Sequence, residues 1–270
     1  METNRTVSVD GLNFAVFDHG AGSPVLFVHG FPVNHAMWST QQSVCNGFRM
    51  IAPDLRGFGG SDATPGATTM EQFASDLHGC LDALGVNEPI IYVGLSMGGY
   101  IAWPFMAQRP KRVRALVLAN TRVVADTPDG AKTRRETAKR VSREGVGVVE
   151  PMLDKLFGAT TKANNPTLIE QGRAMIREAK PLGVAGALLG MADRPDVSDR
   201  LSKLQAPTLV IAGAEDAVFP PSEMEGFARA IPKAEFVLVE RAGHMSPMEN
   251  PAAFNEAMHR LLDRVTNSRS

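Results

Sequence analysis

Gly94-Leu95-Ser96-Met97-Gly98 is the sharpest chemical signal in the chain. It follows the apolar run Ile90 to Val93 and opens the helical segment Tyr100 to Gln108, which sets the serine at a strand–turn–helix junction. Such a junction suits nucleophilic chemistry. A tight, strained turn projects the hydroxyl above a sheet, and side chains two before and two after the serine would collide with it, which explains both glycines. The helix that begins just after Ser96 points its N-terminus at developing negative charge. A chance Gly-Ser loop is the bland alternative, and it does not account for the flanking strand and helix.

A serine nucleophile needs a base, and the candidates are His19, His29, His35, His78, His244 and His259. His244, in Arg241-Ala242-Gly243-His244-Met245, comes one loop after the last predicted strand. Catalytic loops of doubly wound sheets collect at the carboxyl ends of strands, so His244 is the choice over a merely structural loop histidine. His78 and His259 fall within helical patterns. The orienting acid is Asp216, with Glu215 as runner-up, both just after the run Thr208 to Ala212. The end of the preceding strand holds Asn120, which cannot carry the charge. The chain order is then Ser, Asp, His. Two backbone donors complete the set: the N–H of Met97, and that of Phe31 in His29-Gly30-Phe31-Pro32, where Pro32 has no N–H to offer. Asp54-Leu55-Arg56-Gly57-Phe58-Gly59-Gly60-Ser61 lacks the phosphate-loop pattern and reads as structural.

The elements that must position these groups alternate. Val7 and Val9, the turn Asp10-Gly11, then Phe14, Val16 and Phe17 read as a hairpin. Strands follow at Val25 to Val28, Arg49 to Ala52, Ile90 to Val93, Ala115 to Leu118, Thr208 to Ala212 and Phe236 to Val239. Their unbroken apolar character fits a parallel sheet covered on both faces. Met70 to Leu84 reads as a helix closed by Gly85, and Pro251 to Val265 as one capped by Asn250. Pro104 predicts a kink or boundary in Tyr100 to Gln108. From Thr121 to Ser202 no strand is evident, only helical patterns at Ala131 to Arg143, Val146 to Phe157, Pro166 to Ala179 and Pro181 to Ala192. The expected fold is α/β, a doubly wound, mostly parallel sheet. Residues 1–120 and 203–270 form its core, and 121–202 a helical insertion over one edge. Asn267 to Ser270 should fray.

The 270 residues suffice for one full core, burying roughly three quarters of the unfolded surface. A net charge of −1 with dispersed signs offers no face for a nucleic acid. Cys45 and Cys80 lack metal-ligand spacing and read as buried thiols. No run reaches the roughly 18 apolar residues of a membrane span, and Met1 to Asp10 lacks the pattern of a secretory signal. A cytoplasmic protein is expected, with no metal.

Taken together, His29 to Pro32, Asp54 to Ser61, Gly94 to Gly98, Gly213 to Asp216 and Gly243-His244 resemble the α/β-hydrolase superfamily, in order and over nearly the whole core. His29 to Pro32 continuing to Met37-Trp38, with Ala192-Asp193-Arg194-Pro195-Asp196, resembles its enol-lactonase and small-esterase branch. The resemblance implies a cofactor-free carboxylic-ester or lactone hydrolase whose helical insertion is a cap over the site. Ser96 stands where haloalkane dehalogenases and epoxide hydrolases need a carboxylate. The loop also lacks the Gly-Gly-Gly run of many lipases, which points to a smaller acyl pocket.

The expected reaction is two-step acyl transfer through Ser96 and His244, rising with pH through roughly 6–7 as a histidine base requires. Trp38, Met37, Leu188, Met191 and Met245 are the candidate substrate-binding residues, each weighed against ordinary core packing. The substrate is a small or aryl ester. A lactone, as in 3-oxoadipate enol-lactonase, needs the same machinery, and so does perhydrolase or haloperoxidase side chemistry. A ligand receptor on this fold is the rival from another class.

Overall fold

The computed structural model describes residues 3–267. Met1, Glu2 and 268–270, most of the tail expected to fray, lie outside the described residues; Asn267 is the last residue of a helix. Eight strands form one sheet: β1 (Thr3–Val9), β2 (Leu12–Gly20), β3 (Ser23–Val28), β4 (Phe48–Pro53), β5 (Ile90–Leu95), β6 (Val113–Ala119), β7 (Thr208–Gly213) and β8 (Glu235–Val239). Their spatial order is β1-β2-β4-β3-β5-β6-β7-β8. β2 pairs antiparallel with β1 and β4, and every other pair is parallel. Asp10 and Gly11, at φ 50° and 80°, make the tight hairpin turn. β3 and β5 to β7 are buried almost throughout, as their apolar runs require. β8 departs from that expectation: it is an edge strand, and Leu238 is 42% exposed.

Helices α1 (Met70–Ala83) and α2 (Met97–Gln108) follow β4 and β5. α2 starts three residues earlier than expected and runs through Pro104 to Gln108, so Pro104 is no boundary. Between β6 and β7 come α3 (Pro128–Glu144), α4 (Leu153–Leu156), α5 (Ala159–Asn164), α6 (Pro166–Glu178) and α7 (Pro181–Ala192), with short 3-10 turns at Val146–Met152 and Ser198–Lys203. The expected single helix over Val146 to Phe157 is thus a 3-10 turn followed by α4. Pro151, with no N–H for an α-helical bond, lies within that turn. Then follow α8 (Pro221–Ala230), α9 (Ser246–Glu249) and α10 (Pro251–Asn267), the last entered through Asn250 Oδ1, which accepts from Ala253 N–H at 3.3 Å.

The helical segment is sewn to the core by close backbone approach. A Cβ on Gly183 would lie 2.3 Å from Gly57 Cα, and one on Gly190 would lie 1.8 Å from the Thr68 carbonyl. Lys180 N–H donates to Gly57 O at 2.9 Å and Thr68 N–H to Gly186 O at 3.0 Å. At its end, buried Arg194 pairs with Asp126 at 2.8 Å and lies 4.2 Å above the Tyr100 ring of α2. No helix among the described residues is long and apolar enough to cross a membrane.

Candidate active site

Ser96 sits between β5 and α2 at φ 53°, ψ −112°. A non-glycine residue in that region stores roughly 1–3 kcal/mol, which neighbouring structure must hold in place. The glycines do so by letting backbone meet backbone. A Cβ on Gly94 would lie 2.5 Å from Gly98 O and one on Gly98 would lie 2.3 Å from Val28 O, while one on Gly30 would meet side chains, Leu95 Cδ2 at 2.7 Å and Ser96 Cβ at 3.3 Å. The turn at Ser96, the His29–Pro32 loop and the end of β3 are therefore one packed unit. Buried Tyr92 donates from its hydroxyl to Gly98 O at 2.8 Å and pins the start of α2. Among the described residues, no hydrogen bond engages the N–H of Met97 or of Phe31. Met97 is the first residue of α2, where helical N–H groups have no partner within the helix.

His29 orders the loop that carries Phe31. Its Nδ1–H donates to Gly30 O at 2.9 Å, and its Nε2 accepts from Leu55 N–H at 2.9 Å. Complete burial pushes its pKa down to about 4, against the pull of Asp54 and of the Gly30 hydrogen bond, so the ring is neutral. Asp54 accepts from the His35 backbone and ring and from Gly60 N–H, which makes its Gly-rich turn a structural one.

Asp216 and His244 meet at the carboxyl ends of β7 and β8. His244 Nδ1–H donates to Asp216 Oδ2 at 2.9 Å, with both side chains buried. Asp216 Oδ1 accepts from Val218 N–H at 2.8 Å and Phe219 N–H at 3.0 Å. Burial opposes the charge on Asp216, but the facing His244 and the hydrogen bonds from His244, Asn120 and Phe219 outweigh it and hold the carboxyl below its ordinary value. Glu215 does not face His244. Its carboxylate takes the N–H and hydroxyl of Thr160. Among the described residues no hydrogen bond joins Ser96 to His244.

Sequence reasoning set Asn120 aside for its lack of charge, yet it is the hub of the site. Its amide donates to Asp216 Oδ2 at 2.9 Å and to Gly243 O at 3.2 Å, and its carbonyl accepts from Ser246 Oγ at 2.5 Å. One residue away on either side, Ser96 N–H donates to Ala119 O and Thr121 Oγ1 to Ser96 O. The elbow, the acid and the histidine loop are thus tied through residues 119–121. Its place at the end of a buried strand was the available signal.

All five candidate lining residues are buried in the hydrophobic core: Leu188 and Met191 on α7, Met245 next to His244, and Met37 and Trp38 beyond the His29–Pro32 loop. The Trp38 ring packs against Phe27 at 5.2 Å and Phe254 at 6.1 Å. Trp38 borders a cavity of about 200 Å³ shared with Phe17, His35 and Met50, and Ser96, Asp216 and His244 do not line it. His78 likewise packs, stacked 3.8 Å from Phe105.

Residues 23–251 match the model of the alpha/beta hydrolase fold family, and the chain belongs to that family. It is similar to a thermophilic esterase from Thermogutta terrifontis, at 44% identity over 98% of this chain and 99% of that one, with a TM-score of 0.93. It is similar to 3-oxoadipate enol-lactonase 2 of Acinetobacter baylyi at 26% identity, over 94% of this chain and 93% of the relative. A match to epoxide hydrolase 2 of Siraitia grosvenorii, at 44% identity, spans 42% of this chain and only 37% of that protein's length. With esterase and enol-lactonase relatives matched nearly end to end, the chain is an enzyme of the hydrolase class.

Proposed function

We propose that the chain is a carboxylic ester hydrolase for small or aryl esters, working through an acyl-enzyme on Ser96. The observation that carries this is the buried His244–Asp216 hydrogen bond of 2.9 Å, tied through Asn120 and Thr121 to a serine at a strained helix N-terminus. His244 takes the Ser96 proton as the oxygen attacks the ester carbonyl. The N–H groups of Phe31 and Met97 receive the oxyanion, and each such donor typically contributes about 10²–10³ in rate. The imidazolium gives its proton to the departing alkoxide. Water, deprotonated by His244, then releases the acid and restores Ser96. Asp216 keeps the imidazole in the tautomer this needs. A serine at this position, where an epoxide-opening relative needs a carboxylate, supports acyl rather than alkyl transfer.

In this reading residues 121–202 are a cap, and Leu188, Met191 and Met245 line an apolar acyl pocket beneath it. Two buried free thiols, Cys45 and Cys80, accord with work in the cytoplasm. The enol-lactonase relative favours a second reading, hydrolysis of a lactone, which is a cyclic ester and needs no change of mechanism. The test is turnover of aryl acetates and butyrates beside a lactone panel, with Ser96→Ala as control. Wild type should favour short acyl esters and the variant should lose at least about 10³-fold. Lactones turned over well above the esters select the second reading. An unaffected variant, or a tenfold preference for long acyl chains, contradicts the proposal.

A further inference from the structure

Two half-buried carboxylates next to the candidate acid and base have no part in the chemistry above, yet both are fully engaged. Glu249 ends α9, five residues after His244. Its Oε1 accepts from the N–H groups of Gly243 at 2.9 Å and Met245 at 3.0 Å, the two residues that flank His244. Its Oε2 accepts from Gly158 N–H at 2.7 Å and Thr161 Oγ1 at 2.7 Å, both in the helical segment. Glu215, beside Asp216, grips Thr160 between them through its N–H and hydroxyl, while its own N–H donates to Ala242 O at 2.8 Å. The backbones touch where the carboxylates meet. A Cβ on Gly243 would lie 2.4 Å from Gly158 N, and one on Gly158 would lie 2.5 Å from Glu215 Oε2. Met245 N–H also faces Leu156 O at 3.1 Å.

We infer that Glu249 is a positioning residue for His244, and that with Glu215 it makes alignment of the base conditional on docking of residues 158–161. The inference rests on the proposed role of His244. Four donors converge on one carboxylate, and they come from both sides of a boundary: two fix the backbone that aims the imidazole, two belong to the segment that covers the site. When residues 158–161 lift away, Oε2 loses its donors and the half-buried side chain loses its fixed orientation, so the histidine loop slackens with it. Such a link lets a substrate that seats the segment also complete the catalytic row. Misplacement by about 1 Å is enough to cost on the order of 10²-fold in rate.

The variants separate the two halves of the grip. In Glu249→Gln one amide oxygen can still accept from Gly243 and Met245, but the NH₂ now faces Gly158 N–H, a donor against a donor. Glu249→Ala removes both halves, and Thr161→Val removes only the hydroxyl that reaches Oε2. Kinetics on a short aryl ester are measured for each, together with the downfield proton resonance of His244 Nδ1–H, which needs no turnover. Glu249→Ala should lower kcat on the order of 10²-fold and lose the resonance. Glu249→Gln should retain the resonance and most of kcat with a raised KM, and Thr161→Val should raise KM alone. Retention of both kcat and the resonance in Glu249→Ala overturns the inference. So does loss of the resonance in Glu249→Gln as complete as in Glu249→Ala. If Glu249→Ala fails to fold, Glu249→Gln and Thr161→Val decide: unchanged KM in both overturns it. A wild type that turns over no ester but keeps the resonance pattern sinks the ester reading and leaves the positioning role standing.

Discussion

Replacing Asn120 by leucine keeps the side chain's bulk and removes its three hydrogen bonds. The bond to Asp216 Oδ2 at 2.9 Å is charge-assisted and contributes about 1.5–3 kcal/mol. The longer bond to Gly243 O adds about 1 kcal/mol at most, and the Ser246 hydroxyl loses its acceptor. All of these atoms are buried, so water does not replace the loss freely. Unfolding free energy should therefore fall by about 3 kcal/mol. The amide bonds more strongly to the ionised form of Asp216 than to the neutral one, and it is one of the contacts that hold that carboxyl below its ordinary value. Without it the carboxylate takes up a proton more readily. The electrostatic part of the stability loss is therefore full at neutral pH and should shrink as pH falls below the ordinary carboxylate value, where Asp216 takes up a proton in wild type as well. The assay is urea unfolding of wild type and variant at pH 7 and pH 3, beside turnover of an aryl acetate at pH 7. A stability difference as large at pH 3 as at pH 7 would refute the electrostatic part, and unchanged stability would refute the rest.

Gly98→Ala should cost several kcal/mol or the fold itself, because the new methyl meets Val28 O at 2.3 Å with backbone on both sides; urea unfolding and ester turnover check it, and near wild-type values for both would contradict the packing account. His29 has its pKa near 4 when folded and an ordinary value near 6.5 when unfolded. Its contribution is therefore complete above about 6.5 and is lost as pH falls toward 4, by up to about 3 kcal/mol. His29→Gln should show a flatter fall between pH 7 and 4.5 in denaturant midpoints. Cys45 and Cys80 are buried, with burial pushing each thiol up to about 12; a thiol reagent should label neither in the native protein and both after unfolding.

Local signals made much of this legible. The glycines around Ser96 announced a turn that only close backbone contact explains, and apolar runs marked the buried strands because a parallel sheet hides both faces. Strand-end reasoning brought Asp216 and His244 together. What escaped notice depends on contacts between distant elements. Asn120 gains its role only when three strand ends align, and Glu249 only when residue 158 meets residue 243. Trp38 and Met37 are apolar side chains near the oxyanion loop, and nothing in their type says whether they face a pocket or the core. α8 did carry a signal, Pro221 at its start with Met224, Phe227 and Ala228 on one buried face, and the Ser198–Lys203 turn carried little.

The central claim is that Ser96 becomes covalently acylated. The direct measurement is mass spectrometry of protein treated with a serine-directed aryl phosphonate. Wild type should gain one adduct, mapped to the peptide bearing Ser96, while Ser96→Ala gains none and His244→Ala reacts far more slowly. An adduct on another residue, or equal labelling of wild type and Ser96→Ala, would contradict the account.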